Sequence, residues 1–261
     1  MKNSMNQAFC APSIGRALIT GASRRVGRAI AIELARCGMN LELTYRRSRD
    51  ECEECARLAQ ESGRSGGFSI TTTITQLDLS DLAQVDALGV AIAKRGVDVV
   101  VHNASSMDAT PLGSMTALDF ERLYRVEVVA PMRLTQALAP VLARSTLAAK
   151  GAVVFLSDAH ALGIPRAGFA GYLVAKAAVR ALAQQFAVEL APDVRVHCVA
   201  PGVVMWPENF PDATKTAILS RTPLARAGTA HEAAQLVRFL ALEASYLTGQ
   251  TIRIDGGRSL R

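Results

Sequence analysis

Short runs rich in apolar and β-branched residues alternate along this chain with longer stretches of helical periodicity. The pattern predicts strands at residues 16–20, 40–45, 69–77, 97–102, 151–156, 194–199 and 251–254. It predicts helices over residues 26–37, 50–62, 80–95, 117–143, 168–190 and 230–242. A strand followed by a helix and then by another strand is typical of βαβ units, whose strands are parallel. We therefore expect an α/β fold, with a single Rossmann-type doubly wound parallel sheet flanked by helices.

The chain shows no repeat, low-complexity tract or linker that would divide its 261 residues. We therefore predict one domain at residues 14–261. It follows a flexible N-terminal tail, residues 1–13, which is polar and lacks the apolar core of a signal peptide. Residues 203–222 contain Pro207 and Pro211 among polar side chains. We predict that this segment is irregular and acts as a mobile lid.

The composition argues against several kinds of partner. The formal charge is +6, but the basic residues are scattered rather than aligned along one element, so we predict no nucleic-acid partner. The apolar runs are too short to cross a bilayer, so we predict no membrane partner. Five dispersed cysteines favour reduced thiols and a cytoplasmic location over a disulfide framework. Cys52 and Cys55 form a C-x-x-C that we interpret as incidental thiols on a surface helix, with no metal site.

A glycine-containing turn lies between the first predicted strand and the first predicted helix. Its sequence is Thr20-Gly21-Ala22-Ser23-Arg24-Arg25-Val26-Gly27. Gly21 permits a tight turn, and Gly27 permits close packing where the helix begins. The free N–H groups at a helix start, here from Val26 onward, bind the pyrophosphate of a dinucleotide. We therefore predict a dinucleotide site that includes Gly21, Arg25, Val26 and Gly27.

The end of the second predicted strand bears on the choice of cofactor. NAD sites place Asp or Glu there, whereas this strand ends Thr44-Tyr45-Arg46-Arg47-Ser48. Guanidinium groups bind a 2′-phosphate, which a carboxylate would repel. We therefore predict NADPH as the cofactor, bound by Tyr45, Arg46, Arg47 and Ser48, with Arg25 closing over the phosphate. The alternative is that these arginines are solvated surface residues. Asp78 and Leu79 follow the third predicted strand and are placed to contact the adenine.

Tyr172 and Lys176 are four residues apart, on one face of a predicted helix. A free tyrosine, with a pKa near ~10, is a poor acid–base catalyst at neutral pH. A nearby lysine favours the phenolate and lowers that pKa, and the same ammonium group can bind the nicotinamide ribose. We therefore predict that Tyr172 and Lys176 are catalytic residues that also contact the cofactor.

Six motifs in this order resemble the short-chain dehydrogenase/reductase superfamily across nearly the whole chain: TGASRRVGRAI, LDL, HNASS, YLVAK, APG and TGQTIRIDGG. Within it, the chain most resembles the pteridine reductases and bacterial dihydromonapterin reductases. Arg25 replaces a glycine in the turn, and the 45–48 segment is similar to the NADPH-phosphate segment of that branch. Residues 103–106 read Asn-Ala-Ser-Ser, and Asp158 stands where most relatives have the catalytic serine.

This resemblance implies a reductase in which NADPH delivers a hydride to a C=N bond of a dihydropterin. Tyr172 would donate the proton, assisted by Asp158 and Lys176. Asn103, Ala104, Pro201 and Gly202 would contact the cofactor. Ser105 would contact either the cofactor or the pterin. The resemblance also implies a homotetramer with interface helices at residues 117–143 and 168–190.

The chain departs from that family's pattern at the substrate site. Met107 stands where the pteridine reductases have an aromatic residue that stacks on the pterin. Trp206, in the predicted lid, is a candidate for the missing aromatic wall. Glu127 replaces the helix asparagine of the superfamily, which leaves a proton relay through that asparagine unsupported. The loop after residue 156 leaves Ser157 and Asp158 as alternatives for the third catalytic residue.

Two other functions stay open. The first is reduction of a carbonyl substrate, such as a 3-ketoacyl thioester or a small ketone, which the aspartate at position 158 disfavours. The second is a catalytically silent NADPH-binding protein. Glu127 favours that reading, and the intact Tyr172 and Lys176 oppose it.

Overall fold

The structure is a computed structural model that describes residues 15–260. The predicted tail at residues 1–13 lies outside the described residues. Seven strands form one sheet: β1 (Arg16–Ile19), β2 (Asn40–Tyr45), β3 (Thr72–Gln76), β4 (Val99–His102), β5 (Gly151–Leu156), β6 (Val194–Pro201) and β7 (Thr251–Ile254). Every neighbouring pair is parallel, and the strand order is β3-β2-β1-β4-β5-β6-β7. The predicted doubly wound parallel sheet is confirmed.

Eight α-helices lie within residues 15–260: α1 (Arg25–Arg36), α2 (Arg49–Ser65), α3 (Leu82–Arg95), α4 (Ala117–Tyr124), α5 (Ala130–Leu142), α6 (Ala170–Glu189), α7 (Asp212–Leu219) and α8 (Ala230–Leu242). Helices α1, α2 and α8 pack on one face of the sheet. Helices α3, α5 and α6 pack on the other. The central strands are therefore buried on both sides, which explains their nearly continuous apolar sequences.

Helix caps explain where several helices begin. The side chain of Asp81 accepts hydrogen bonds from the backbone N–H groups of Ala83 and Gln84, at the start of α3. Thr229 and Glu232 form a reciprocal capping box at the start of α8. In both cases a side chain satisfies N–H groups that have no partner within the helix. Asp81 and Thr229 are therefore the N-caps of α3 and α8.

The prediction of one continuous α-helix over residues 117–143 is wrong in the middle of that range. A π-helical turn, Arg125–Val129, separates α4 from α5, and Glu127 lies at its centre. A π turn accommodates one extra residue in the helix, so it changes the direction of the side chains that it carries. Such turns occur often at functional sites. The predicted irregular segment 203–222 also needs correction, because α7 occupies part of it.

The cysteines are less exposed than predicted. Cys52 and Cys55 are both fully buried on the inner face of α2, so the interpretation as surface thiols is wrong. Two cysteines three residues apart lie on one side of a helix, and here that side faces the sheet. Cys52, Cys55 and Cys198 are free thiols. Within residues 15–260, no helix has the length and apolar character that crossing a membrane requires.

Candidate active site

The carboxyl ends of β1, β2, β4, β5 and β6 meet at one edge of the sheet, and most of the predicted site residues follow these strands. The chain leaves β1 in one direction and β4 in the other, which opens a crevice between the loops that follow them. Ligands of doubly wound folds bind in such a crevice. The topology therefore brings the glycine turn and the loop that starts at Asn103 together.

The glycine turn is tightly packed against that loop. Gly21 has a positive φ of 66°, and a Cβ there would lie 2.8 Å from the Cα of Ala104. A Cβ at Gly27 would overlap the carbonyl oxygen of Gly21. The side-chain amide of Asn103 donates to the carbonyl oxygens of Thr20 and Gly21, at 3.0 and 2.9 Å. These contacts hold the backbone close to the start of α1, and the turn fits the pyrophosphate of a dinucleotide.

The end of β2 presents two exposed arginines, Arg46 and Arg47, beside Asp78. Hydrogen bonds from Ser80 lower the pKa of Asp78, against the effect of its partial burial, and the charges of both arginines add to the lowering. Their positive charge suits a phosphate group. The side chains of Tyr45 and Leu79, two of the predicted cofactor contacts, are buried in the hydrophobic core, which leaves a contact through their backbone as the prediction.

Arg25 links the glycine turn to the segment 203–222. It has a positive φ of 55°, and its guanidinium group donates to the carbonyl oxygen of Met205 at 3.2 Å. Trp206, the next residue, stacks on Phe210 with 5.2 Å between the ring centroids. The predicted substrate-contacting tryptophan is therefore part of an aromatic pair within this segment. On the opposite loop, the side chain of Met107 is 49% exposed.

The loop after β5 brings Asp158 to Tyr172. The hydroxyl group of Tyr172 donates to a carboxylate oxygen of Asp158 at 3.0 Å. Ser157 points elsewhere, because its hydroxyl donates to the backbone carbonyl of Lys176 at 2.8 Å. Of the two alternatives for the third residue, the geometry therefore favours Asp158. Its other carboxylate oxygen accepts from the backbone N–H of His160 at 2.7 Å and lies 3.1 Å from the ring nitrogen Nδ1 of His160.

Lys176 is paired with Glu127. Its ammonium nitrogen lies 2.8 Å from a carboxylate oxygen of Glu127, and the two side chains are only 4% and 1% exposed. The same nitrogen donates to the carbonyl oxygen of Leu156 at 2.7 Å. The other oxygen of Glu127 accepts from the hydroxyl of Ser105 and the backbone N–H of Ser106, both at 2.7 Å. Ser105 was predicted to contact the cofactor or the substrate. In this structure its hydroxyl group is hydrogen-bonded to Glu127.

These neighbours raise the pKa of Tyr172 well above its usual value. Burial makes the largest contribution, the charges of Asp158 and Glu127 follow, and the hydrogen bond to Asp158 acts in the same direction. Lys176 lies 5.8 Å from the centre of the Tyr172 ring. The expectation that Lys176 would bring the tyrosine pKa down is not met in this structure, because burial and the charges of Asp158 and Glu127 raise that pKa. Tyr172 is therefore a neutral phenol that can donate a proton.

Hydrogen bonds from the side chain and backbone of His160 keep the pKa of Asp158 below its ordinary value, although its burial acts in the opposite direction. Asp158 is thus a carboxylate that accepts the Tyr172 proton in a hydrogen bond. The sequence alone does not single out His160, whose only signal is its position two residues after Asp158. Nor does it single out Asp108, which accepts from Ser106 and Arg122 in the loop after β4. Pro201 ends β6, and Gly202 approaches the backbone of Asp255 closely.

Comparisons with known proteins find similar sequences and structures. A family model described as Enoyl-(Acyl carrier protein) reductase matches residues 21–259. A 3-oxoacyl-[acyl-carrier-protein] reductase from Staphylococcus aureus is 32% identical over 92% of this chain and 96% of its own length. A tropinone reductase homolog from Arabidopsis thaliana is 32% identical over 94% of this chain and 90% of its own. A short chain dehydrogenase from Burkholderia cenocepacia in complex with NADP has a similar structure, with a TM-score of 0.84 and 30% identity over 95% of this chain and 98% of that one.

Proposed function

The chain belongs to the short-chain dehydrogenase/reductase superfamily, and from that premise we propose that it is an NADPH-dependent reductase of a dihydropterin-type substrate. The observation that carries the proposal is the hydrogen bond from Tyr172 to Asp158. A carboxylate beside the proton donor suits a substrate that offers N–H groups, as a pterin does, because carboxylates accept hydrogen bonds and do not donate them.

NADPH is supported by the residues at the end of β2 and in the glycine turn. The N–H groups at the start of α1 would hold the pyrophosphate, and Arg46, Arg47 and Ser48 would hold the 2′-phosphate. Arg25 would close over that phosphate from the glycine turn. A structurally similar relative that binds NADP adds support, although the binding is a property of that protein. When bound, NADPH supplies the hydride that a C=N reduction requires.

The proton comes from the side chains of this chain. Tyr172 would donate its phenolic proton to the substrate nitrogen, which together with a hydride completes the reduction of a C=N bond. Asp158 would hold the phenol in place and accept an N–H of the pterin. Lys176 directs two of its three protons to Glu127 and Leu156, which leaves the third for a ribose hydroxyl of the cofactor. Met107 and Trp206 would line the substrate from opposite loops.

Reduction of a 3-ketoacyl thioester is the second candidate. The relative from Staphylococcus aureus, whose name describes that activity, is 32% identical over nearly its full length. Asp158 argues against this candidate, because carbonyl reduction develops negative charge on oxygen and a neighbouring carboxylate would repel it. The two candidates therefore differ in what they require at position 158.

One panel of substrates separates the candidates. Oxidation of NADPH would be followed with dihydrobiopterin, dihydromonapterin, dihydrofolate and an acetoacetyl thioester, using the natural chain and the variants Asp158→Ser and Tyr172→Phe. We expect turnover of a pterin, a loss of roughly 10²-fold or more in Tyr172→Phe, and weaker pterin turnover in Asp158→Ser. Turnover of the thioester alone would contradict the pterin proposal. Tight NADPH binding without any turnover would identify a silent binding protein.

A further inference from the structure

We propose that Glu127 is a positioning residue: as the counter-ion of Lys176, it cancels the lysine charge next to Tyr172 and so keeps the phenol protonated for donation. The proposal rests on the proposed role of Tyr172 as proton donor. Glu127 acts through Lys176 and through the electrostatic field at Tyr172. In this role it does not contact the reacting atoms. What carries the proposal is the geometry of one buried ion pair and its hydrogen bonds.

The carboxyl group of Glu127 is surrounded by hydrogen-bond donors. Its two oxygens receive three of them: the ammonium group of Lys176 on one, and Ser105 and the backbone N–H of Ser106 on the other. An ammonium group and a backbone N–H can only donate, so each oxygen of Glu127 acts as an acceptor. Both charged side chains are almost fully buried, so water screens the pair very little.

The π-helical turn places Glu127 where the pairing is possible. It lies at the centre of Arg125–Val129, between α4 and α5, and α6 packs against the same turn. Lys176 comes from α6, one helical turn after Tyr172. The carboxylate is therefore held by two separate parts of the fold, the loop at residues 105–106 and helix α6. A carboxylate fixed in this way cannot move away when the charge nearby changes.

The charges around Tyr172 come from several elements. Asp158 contacts it from the loop after β5 and is itself bound by His160, Glu127 lies on the π turn, and Lys176 comes from the same helix as Tyr172. Arg258, near the end of the chain, is close enough to Asp158 for the two charges to interact. With Glu127 and Lys176 cancelling each other, Asp158 is the dominant charge at the phenol. Loss of the Tyr172 proton would place a second negative charge beside Asp158. Repulsion between the two charges opposes that loss.

The consequence is a defined response to pH. Tyrosine donates only while it is protonated, and a raised pKa keeps it protonated to a higher pH. Reduction would therefore continue at alkaline pH and decline only as pH rises through the raised pKa of Tyr172. Without the charge of Glu127, the positive charge of Lys176 would stabilise the phenolate and lower that pKa.

The test is a spectroscopic titration of the protein alone. The tyrosinate absorbance near ~295 nm is followed against pH for the natural chain and for Glu127→Gln, each with and without Tyr172→Phe, so that subtraction isolates Tyr172. We expect the Tyr172 signal to appear at least about one pH unit lower in Glu127→Gln than in the natural chain. In the pH profile of the reduction rate, the decline at alkaline pH should shift by the same amount in Glu127→Gln. Equal titrations would overturn the proposal.

Three variants separate this role from a merely structural one. Glu127→Asp keeps the charge and should restore the natural titration, whereas the exposed Glu121→Gln on α4 should leave it unchanged. The double variant Glu127→Gln/Lys176→Met removes both charges, and it should lose the shift seen in Glu127→Gln. If Glu127→Gln does not fold, Glu127→Asn provides the same neutral test. The titration needs neither substrate nor cofactor, so its failure and a failed substrate panel are distinguishable.

Discussion

Single side chains at the end of β2 carry the proposed preference for NADPH over NADH. Arg47 is exposed, and no carboxylate occupies the end of the strand, where an NAD site places one. We expect Arg47→Asp to weaken NADPH use by about 10- to 100-fold, because a charged hydrogen bond to the 2′-phosphate is lost and a repulsive charge replaces it. The measurement is kcat/KM for NADPH and for NADH, together with the Kd of each nucleotide.

The matched control is Arg49→Asp, which makes the same charge change two residues further along. Arg49 pairs with Glu53 on the outer surface of α2, so its replacement should leave the ratio of NADPH to NADH use nearly unchanged. Equal effects of the two substitutions would show that general charge, and not a specific phosphate contact, favours NADPH. An unchanged ratio in Arg47→Asp would show that the phosphate binds elsewhere.

One buried arginine joins β6 to the end of α8. The guanidinium group of Arg195 donates to the carbonyl oxygens of Leu240, Ala241 and Ala244, at 2.5, 2.7 and 3.2 Å. It also donates to the carbonyl oxygen of Ala149 at 2.5 Å. The carbonyl groups of Leu240 and Ala241 belong to the last turn of α8, whose carbonyl groups have no N–H partner within the helix. Burial lowers the pKa of Arg195 to about 10, and the side chain is still charged at neutral pH.

We expect Arg195→Met to destabilise the protein by about 3–5 kcal/mol, because several buried carbonyl groups lose their charged donor at once. For a chain of this size, the fall in Tm is on the order of 10 °C. Thermal unfolding followed by circular dichroism measures it. Arg133→Met is the control, since Arg133 forms an exposed ion pair with Asp86 and should cost less than about 1 kcal/mol. Similar losses from both variants would contradict the assigned role of Arg195.

The elements were more predictable from the sequence than the contacts between them. The strands followed from short apolar runs, because this signal is local. The π turn around Glu127 leaves no local signal, since it depends on how α4 and α5 pack against α6. The pairing of Glu127 with Lys176 joins positions 49 residues apart (176 − 127) and is visible only in the fold. The inward direction of Cys52 and Cys55 was missed because the polar residues around them suggested a surface helix.

On the surface of the whole molecule, several apolar side chains of helices α4 and α6 are exposed. Leu118 and Tyr124 on α4 and Val174 and Val188 on α6 are exposed, and the two helices pack side by side. Exposed apolar residues that form a continuous surface mark protein–protein contacts. The superfamily resemblance implies a homotetramer that uses these helices. A symmetric assembly would place the same surface of two copies face to face.

If these helices form the interface, a charge placed among them should break it. We expect the natural chain to sediment as a tetramer and Val174→Asp to shift it toward smaller species at micromolar concentration, because each symmetric contact would bury at least two unpaired carboxylates. Val90→Asp on α3 is the matched control: Val90 is 57% exposed and Val174 50%, and the substitution is the same. Sedimentation velocity distinguishes the species. An unchanged assembly in Val174→Asp, or equal dissociation of both variants, would place the interface elsewhere, and a monomeric natural chain would contradict the tetramer itself.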